Sequence, residues 1–84
     1  MSIRDYFAEI DNEFLFADGF DSAIIVHVSI AGRRDVILYD RDKVINILMQ
    51  GGMNQEDAVE YFEYNVQGAY VGEATPAFAT LIET

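Results

Sequence analysis

Eighty-four residues, 51% hydrophobic and 13% aromatic, make a single domain, 1–84, with a thin core, since a chain of this size buries only about 60–65% of its unfolded surface. The lack of cysteine removes disulfides and thiolate chemistry, and with one histidine the usual zinc and nucleophile–base sets are short of members. Fifteen acidic against five basic side chains give a formal net charge of −10, which opposes direct binding of nucleic acid, and no stretch has the roughly 20 apolar residues of a membrane span or the pattern of a signal peptide.

Ser2 followed by Asp5 marks a helix start, and Ile3, Phe7, Ile10 and Phe14 recur on one helical stripe, which predicts a first helix over 3–12. "FLFADGFD" ends it: Asp18-Gly19 is turn chemistry, and Phe16 and Phe20 fold back as core anchors. "AIIVHVSI" is β-branched and reads as a strand over 23–30, with Ile24, Val26, Val28 and Ile30 facing the helices and Ile25, His27 and Ser29 facing away. "AGRR" is a turn in which Gly32 supplies positive φ, and "DVILYD" returns as the second strand of a hairpin. On this reading Ile25, Ile37 and Tyr39 leave a second, partly apolar face, a candidate oligomer interface.

"KVINILMQ" is a short helix beneath the carboxylates of Asp40 and Asp42, ended by Gly51-Gly52. Asn54 caps the next helix, with Asp57 in the place of a capping box's reciprocal acid, and that helix runs to Gly68 or Tyr70. "GEATP" stops it and "AFATLIE" is a last strand. The expected fold is α+β in the order α-β-β-α-α-β, a small antiparallel or mixed three-stranded sheet with helices mainly on one face.

Charge is distributed unevenly. Arg33, Arg34, Arg41 and Lys43 fall close together, whereas Val44–Thr84 contains no Lys or Arg. On a helical wheel Ala58, Val59, Phe62, Val66 and Ala69 form a core stripe, Glu56, Glu60, Glu63 and Gln67 a row opposite, and Tyr61, Tyr64 and Gly68 a seam between them. Carboxylates at i and i+4 repel by a few tenths of a kcal/mol, roughly, and no Lys is interposed to relieve them. Glu56, Asp57, Glu60, Glu63 and Tyr64 are therefore the candidate partner-binding set, weighed against a purely solubilising surface.

Other features have plainer readings. His27, alone in an apolar strand, is structural unless Arg33, Arg34 and Arg41 gather beside it into a small-ligand or enzymatic site. Asp40, Asp42, Asp18 and Asp21 match no calcium-loop ladder and read as caps and turn residues, so neither metal nor cofactor is expected.

"VILYDRDKVINILMQGGMNQEDAVEYFEYNVQGAYVGEATPAF", with "DGFDSAII" upstream, resembles a family of small, uncharacterised acidic proteins encoded by tailed phages and bacterial mobile elements. The resemblance rests on Tyr39-Asp40 before Lys43, Gly52-Met53, "EDAVEYFEYN" and "GAYVGEATP", and it carries no catalytic residue. It implies the cytoplasm of a bacterial host and a non-enzymatic inhibitor, of anti-CRISPR or anti-restriction type, that imitates nucleic acid before a basic, nucleic-acid-handling complex. The alternative is a homodimeric or larger accessory protein of no catalytic activity.

Overall fold

Ser2 and Asp5 do form a reciprocal capping box: the Asp5 N–H donates to Ser2 Oγ at 3.2 Å and the Ser2 N–H to Asp5 Oδ2 at 3.3 Å. In the computed structural model, which describes residues 2–11 and 13–82, this box opens α1, Ile3–Ile10. The helix stops at Asp11, whose backbone is extended, so the expected last turn ends early and Asn12 lies outside the described residues. Of the predicted stripe, Phe7 is buried within the helix and Phe14 beyond it, whereas Ile3 and Ile10 are exposed.

A single 3₁₀ turn, Asp21–Ala23, leads into β1, Ile24–Val28, which pairs antiparallel with β2, Val36–Asp40. The connection turns at Gly32, where φ is +73° and a side chain would be strained. Asp40 then caps α2, Arg41–Gln50, by accepting from the N–H groups of Asp42 at 3.0 Å and Lys43 at 3.3 Å, so the helix begins two residues before "KVINILMQ". Gly51 and Gly52 (φ +116°) end it, and Asn54, accepting from the Asp57 N–H at 2.9 Å, starts α3, Gln55–Tyr61. Phe62–Gln67 continues that helix in π-helical form up to Gly68.

β3, Ala77–Ala79, lies parallel to β2, so the sheet is mixed, in the order β1-β2-β3. It is shorter than "AFATLIE", whose Glu83 falls outside the described residues. Phe78 fixes it in place: its ring stacks on Tyr39 at 5.4 Å and meets Phe62 edge-on at 5.1 Å. The α+β class and the element order are as the sequence predicts.

The strand faces are not. Ile24 pairs with Tyr39, but Val26 pairs with Leu38, so Ile25 is an extra residue bulged out of the ladder. Residues paired across strands share a face, and the bulge puts Ile24 and His27 together on the face of Ile37 and Tyr39. That face is the core. Ile37 and Tyr39 are fully buried, in one cluster with Phe7, Phe14, Val44, Ile45, Ala58 and Phe62 from the helices and the aromatic loop. Ile37 and Tyr39 therefore cannot form an oligomer interface, and only Ile25 of that trio reaches the surface, at the bulge. Val26, Val28 and Leu38 instead turn to the opposite side of the sheet, outside that cluster.

Candidate functional site

α3 and its π-helical continuation carry the acidic residues. Asp57, Glu60 and Tyr64 line one shallow groove of about 520 Å³ with Met53, Tyr61 and Asn65. Tyr64 is 76% exposed, and Tyr61, at 41%, stands beside it as the groove's other aromatic wall. Two members of the predicted set lie outside the groove: Glu56, exposed on the first turn of α3, and Glu63, whose Oε1 is 3.9 Å from Arg41 Nη2. The Arg41 guanidinium also sits 5.3 Å from the centre of the Phe62 ring, over the core side of the helix.

Among the described residues Glu56, Asp57 and Glu60 form no ion pair, and the basic cluster does not reach them. Arg34 is tied to Asp11 at 2.7 Å and Glu13 at 3.2 Å, and Arg41 approaches Asp42 and Glu63. Arg4 forks onto Asp21 and reaches Asp18, in the aromatic loop. Among the described residues, then, no cation pairs with the carboxylates of the groove.

A second feature has no counterpart in the sequence reading. Beside the groove, and sharing Tyr61 and Asn65 with it, is a cavity of about 280 Å³. Its apolar walls come from three places: Leu15, Phe16 and Phe20 of the aromatic loop, Val66 of the π turn, and Val71 and Phe78 after it. Thr75 closes the loop there, accepting from the Val71 N–H at 2.9 Å and donating to the Gly72 carbonyl at 2.6 Å. Phe16 and Phe20 are the anchors expected from "FLFADGFD", and they do pack on the core. The missing signal is the π geometry, which tertiary contacts impose and helical periodicity does not encode.

His27 is held, not free. Its Nδ1 lies 2.9 Å from Asp35 Oδ2, and its ring meets Phe7 edge-on at 5.8 Å. A groove of about 340 Å³ runs past it between α1 and β1, lined by Ile3, Tyr6, Phe7, Ile25 and Val26. Arg33, Arg34 and Arg41 do not join that lining, so the cationic site around His27 is not assembled. Asp40 serves as a helix cap, and among the described residues no group of three potential ligands is placed to hold a metal. No helix among them is long and apolar enough to cross a membrane. Comparison with family models, with curated proteins and with solved structures returns no match, so the functional reading stands on this geometry.

Proposed function

We propose that the chain is a non-enzymatic acidic protein-binding module that docks α3, through the groove residues Asp57, Glu60 and Tyr64 with Glu56 outside the groove, on a basic surface of a partner protein. The observation that carries this is the row of three exposed carboxylates that meet no cation among the described residues, beside a tyrosine left 76% exposed, in a chain whose arginines are mostly engaged elsewhere. Unpaired rim charge steers and orients a partner, and a rigid tyrosine adds contact area at small entropic cost. Glu63 contributes less, because Arg41 already draws on it. The narrower form of the reading is an inhibitor of a bacterial nucleic-acid-handling complex, whose lysines and arginines accept carboxylates in place of phosphates. It draws on the resemblance of "EDAVEYFEYN" and "GAYVGEATP" to the phage-encoded family.

Affinity capture from bacterial lysate, wild type beside Glu60→Lys with Tyr64→Ala, tests it. The expected result is a basic partner retained by the wild type, lost from the double variant and released by moderate salt. A partner held equally by both proteins overturns the reading.

A second reading, a homo-oligomer, is favoured by the outer face of the sheet, where Val26 is 46% exposed beside Val28, Leu38 and Ala77. Light scattering decides: a dimer insensitive to salt and broken by Val26→Lys supports it, and a monomer removes it.

A further inference from the structure

We propose that the cavity next to the acidic groove receives an apolar anchor side chain from a basic peptide segment of the partner, so that groove and cavity form one site for a cation-flanked aromatic or branched residue. The inference rests on the acidic docking surface proposed above and adds what it lacks, the chemistry of the ligand.

Size sets the first limit. A dry cavity of about 150 Å³ lined by aliphatic and aromatic groups already takes a benzene ring. At about 280 Å³ this one has room for a single large apolar side chain, and it is small for a nucleotide or a typical cofactor. Composition sets the second. The apolar lining is Leu15, Phe16, Phe20, Val66, Val71 and Phe78, of which Leu15 and Val71 are themselves exposed, and the hydroxyl of Thr75 is consumed within its own loop. Water there finds few partners, and an apolar group gains by replacing it.

Charge sets the third limit and identifies the flanks. No Lys or Arg lines either the cavity or the groove, and of the carboxylate residues that do, Asp18 is already reached by Arg4 at 3.0 Å, whereas Asp57 and Glu60 form no ion pair among the described residues. Tyr61 and Asn65 line both, so an anchor seated in the cavity brings its neighbours in sequence over the carboxylates. A second copy of this chain, at a net charge of −10, is the wrong occupant; a Lys- or Arg-flanked segment is the right one.

The wall that joins the two halves is held by a glycine. A Cβ on Gly68 would lie 2.9 Å from the Glu63 carbonyl oxygen and 3.0 Å from that of Tyr64, so the end of the π turn closes only with a bare Cα at this position. Such turns often shape binding surfaces, and here the turn supplies both Asn65 at the mouth and Val66 in the wall.

The test is a titration of the isotope-labelled protein followed by NMR with three synthetic peptides: a phenylalanine flanked by lysine pairs, the same peptide with glycine for phenylalanine, and the same with glutamine for every lysine. The first peptide is expected to bind about tenfold or more tighter than the second, the order expected for partial burial of one aromatic side chain, and to shift Val66, Ala69 and Val71 together with Asp57 and Glu60. Ala69→Trp, which adds bulk at the cavity lining, is expected to erase that advantage and leave the weak binding of the glycine peptide unchanged. Equal affinity of the first two peptides for the wild type overturns the anchor site and leaves the acidic surface standing. Equal affinity of the first and third overturns the basic flank and, with it, the acidic docking surface. If Ala69→Trp fails to fold, the comparison between the first two peptides on the wild type still decides.

Discussion

In the first half of the molecule Arg4 closes a fork on Asp21 and reaches Asp18, and Arg34 ties Asp11 to Glu13 across the chain. In the helix that begins at Gln55, Glu56, Asp57 and Glu60 face solvent with no cation among the described residues. The two regions also differ in filling: Tyr39 and Ile37 are enclosed on every side, whereas the π turn borders an open cavity. Exposed ion pairs give little stability, about 0–1 kcal/mol each. The contrast therefore says less about strength than about availability, since one region pairs most of its charges internally and the other presents most of its own.

Phe62 is where the two regions meet, fully buried and edge-on to Phe78, so its removal gives the largest effect. Phe62→Ala is expected to cost about 3–5 kcal/mol and to free β3 along with the π turn. Denaturant unfolding measures the loss, and amide exchange at 77–79 shows whether the strand goes with it. A loss under about 1 kcal/mol, well below the usual range for a buried aromatic, would mean that the presenting region is not anchored through this ring.

Tyr39 tests the enclosed region. Its hydroxyl accepts from the Ala17 N–H at 2.7 Å and so holds the aromatic loop to the sheet. Tyr39→Phe leaves that donor without its partner at a cost of about 1 kcal/mol. Burial raises the phenol's pKa above its ordinary value, against the opposing influence of the Ala17 N–H. The folded state thus binds this proton more tightly than the unfolded state does. The stability it contributes is complete below about pH 10 and declines as pH rises through the folded value, a decline that Tyr39→Phe removes.

Asp11 has the opposite sign. Its carboxylate, bonded first by the Glu13 N–H at 2.9 Å and also by Arg34, is held below the usual carboxylate range. Its contribution is present above about pH 4 and lost as pH falls through the folded value, so Asp11→Asn flattens the acid limb of the stability curve. An acid limb unchanged in the variant would assign acid unfolding to other carboxylates.

The features visible in the sequence were those set by neighbours a few residues apart. The Ser2–Asp5 box, the Asp40 and Asn54 caps and the turn at Gly32 are local bonds and local φ preferences, and residue type announces them. The faces of β1 were not visible because "AIIVHVSI" is apolar on both sides, so alternation gives no mark where Ile25 is inserted and the parity changes. That one residue put His27 on the core side of the sheet, at its half-exposed margin, together with the buried Ile37 and Tyr39. The groove was partly legible, since Asp57, Glu60 and Tyr64 do converge, but a straight wheel has no π turn and cannot bring Asn65 and Val66 to a cavity shared with the aromatic loop. Contacts that depend on loops far apart in sequence leave no periodic trace.

The smallest effect separates the two regions most sharply. Glu60 follows Glu56 by four residues, so the pair repels across one turn of helix, and Glu60→Lys converts that repulsion into the favourable order of a Glu preceding a Lys. The gain is about 0.5 kcal/mol, greatest at low salt. In the first half the equivalent reversal goes the other way, because Arg34→Glu would set a third carboxylate against Asp11 and Glu13. A residue whose replacement stabilises the fold while weakening capture of a basic partner is retained for binding and not for folding. Thermal unfolding of Glu60→Lys beside its affinity for the lysine-flanked phenylalanine peptide measures both halves of that statement. Stability and binding that fall together would return Glu60 to the class of residues that simply hold the helix.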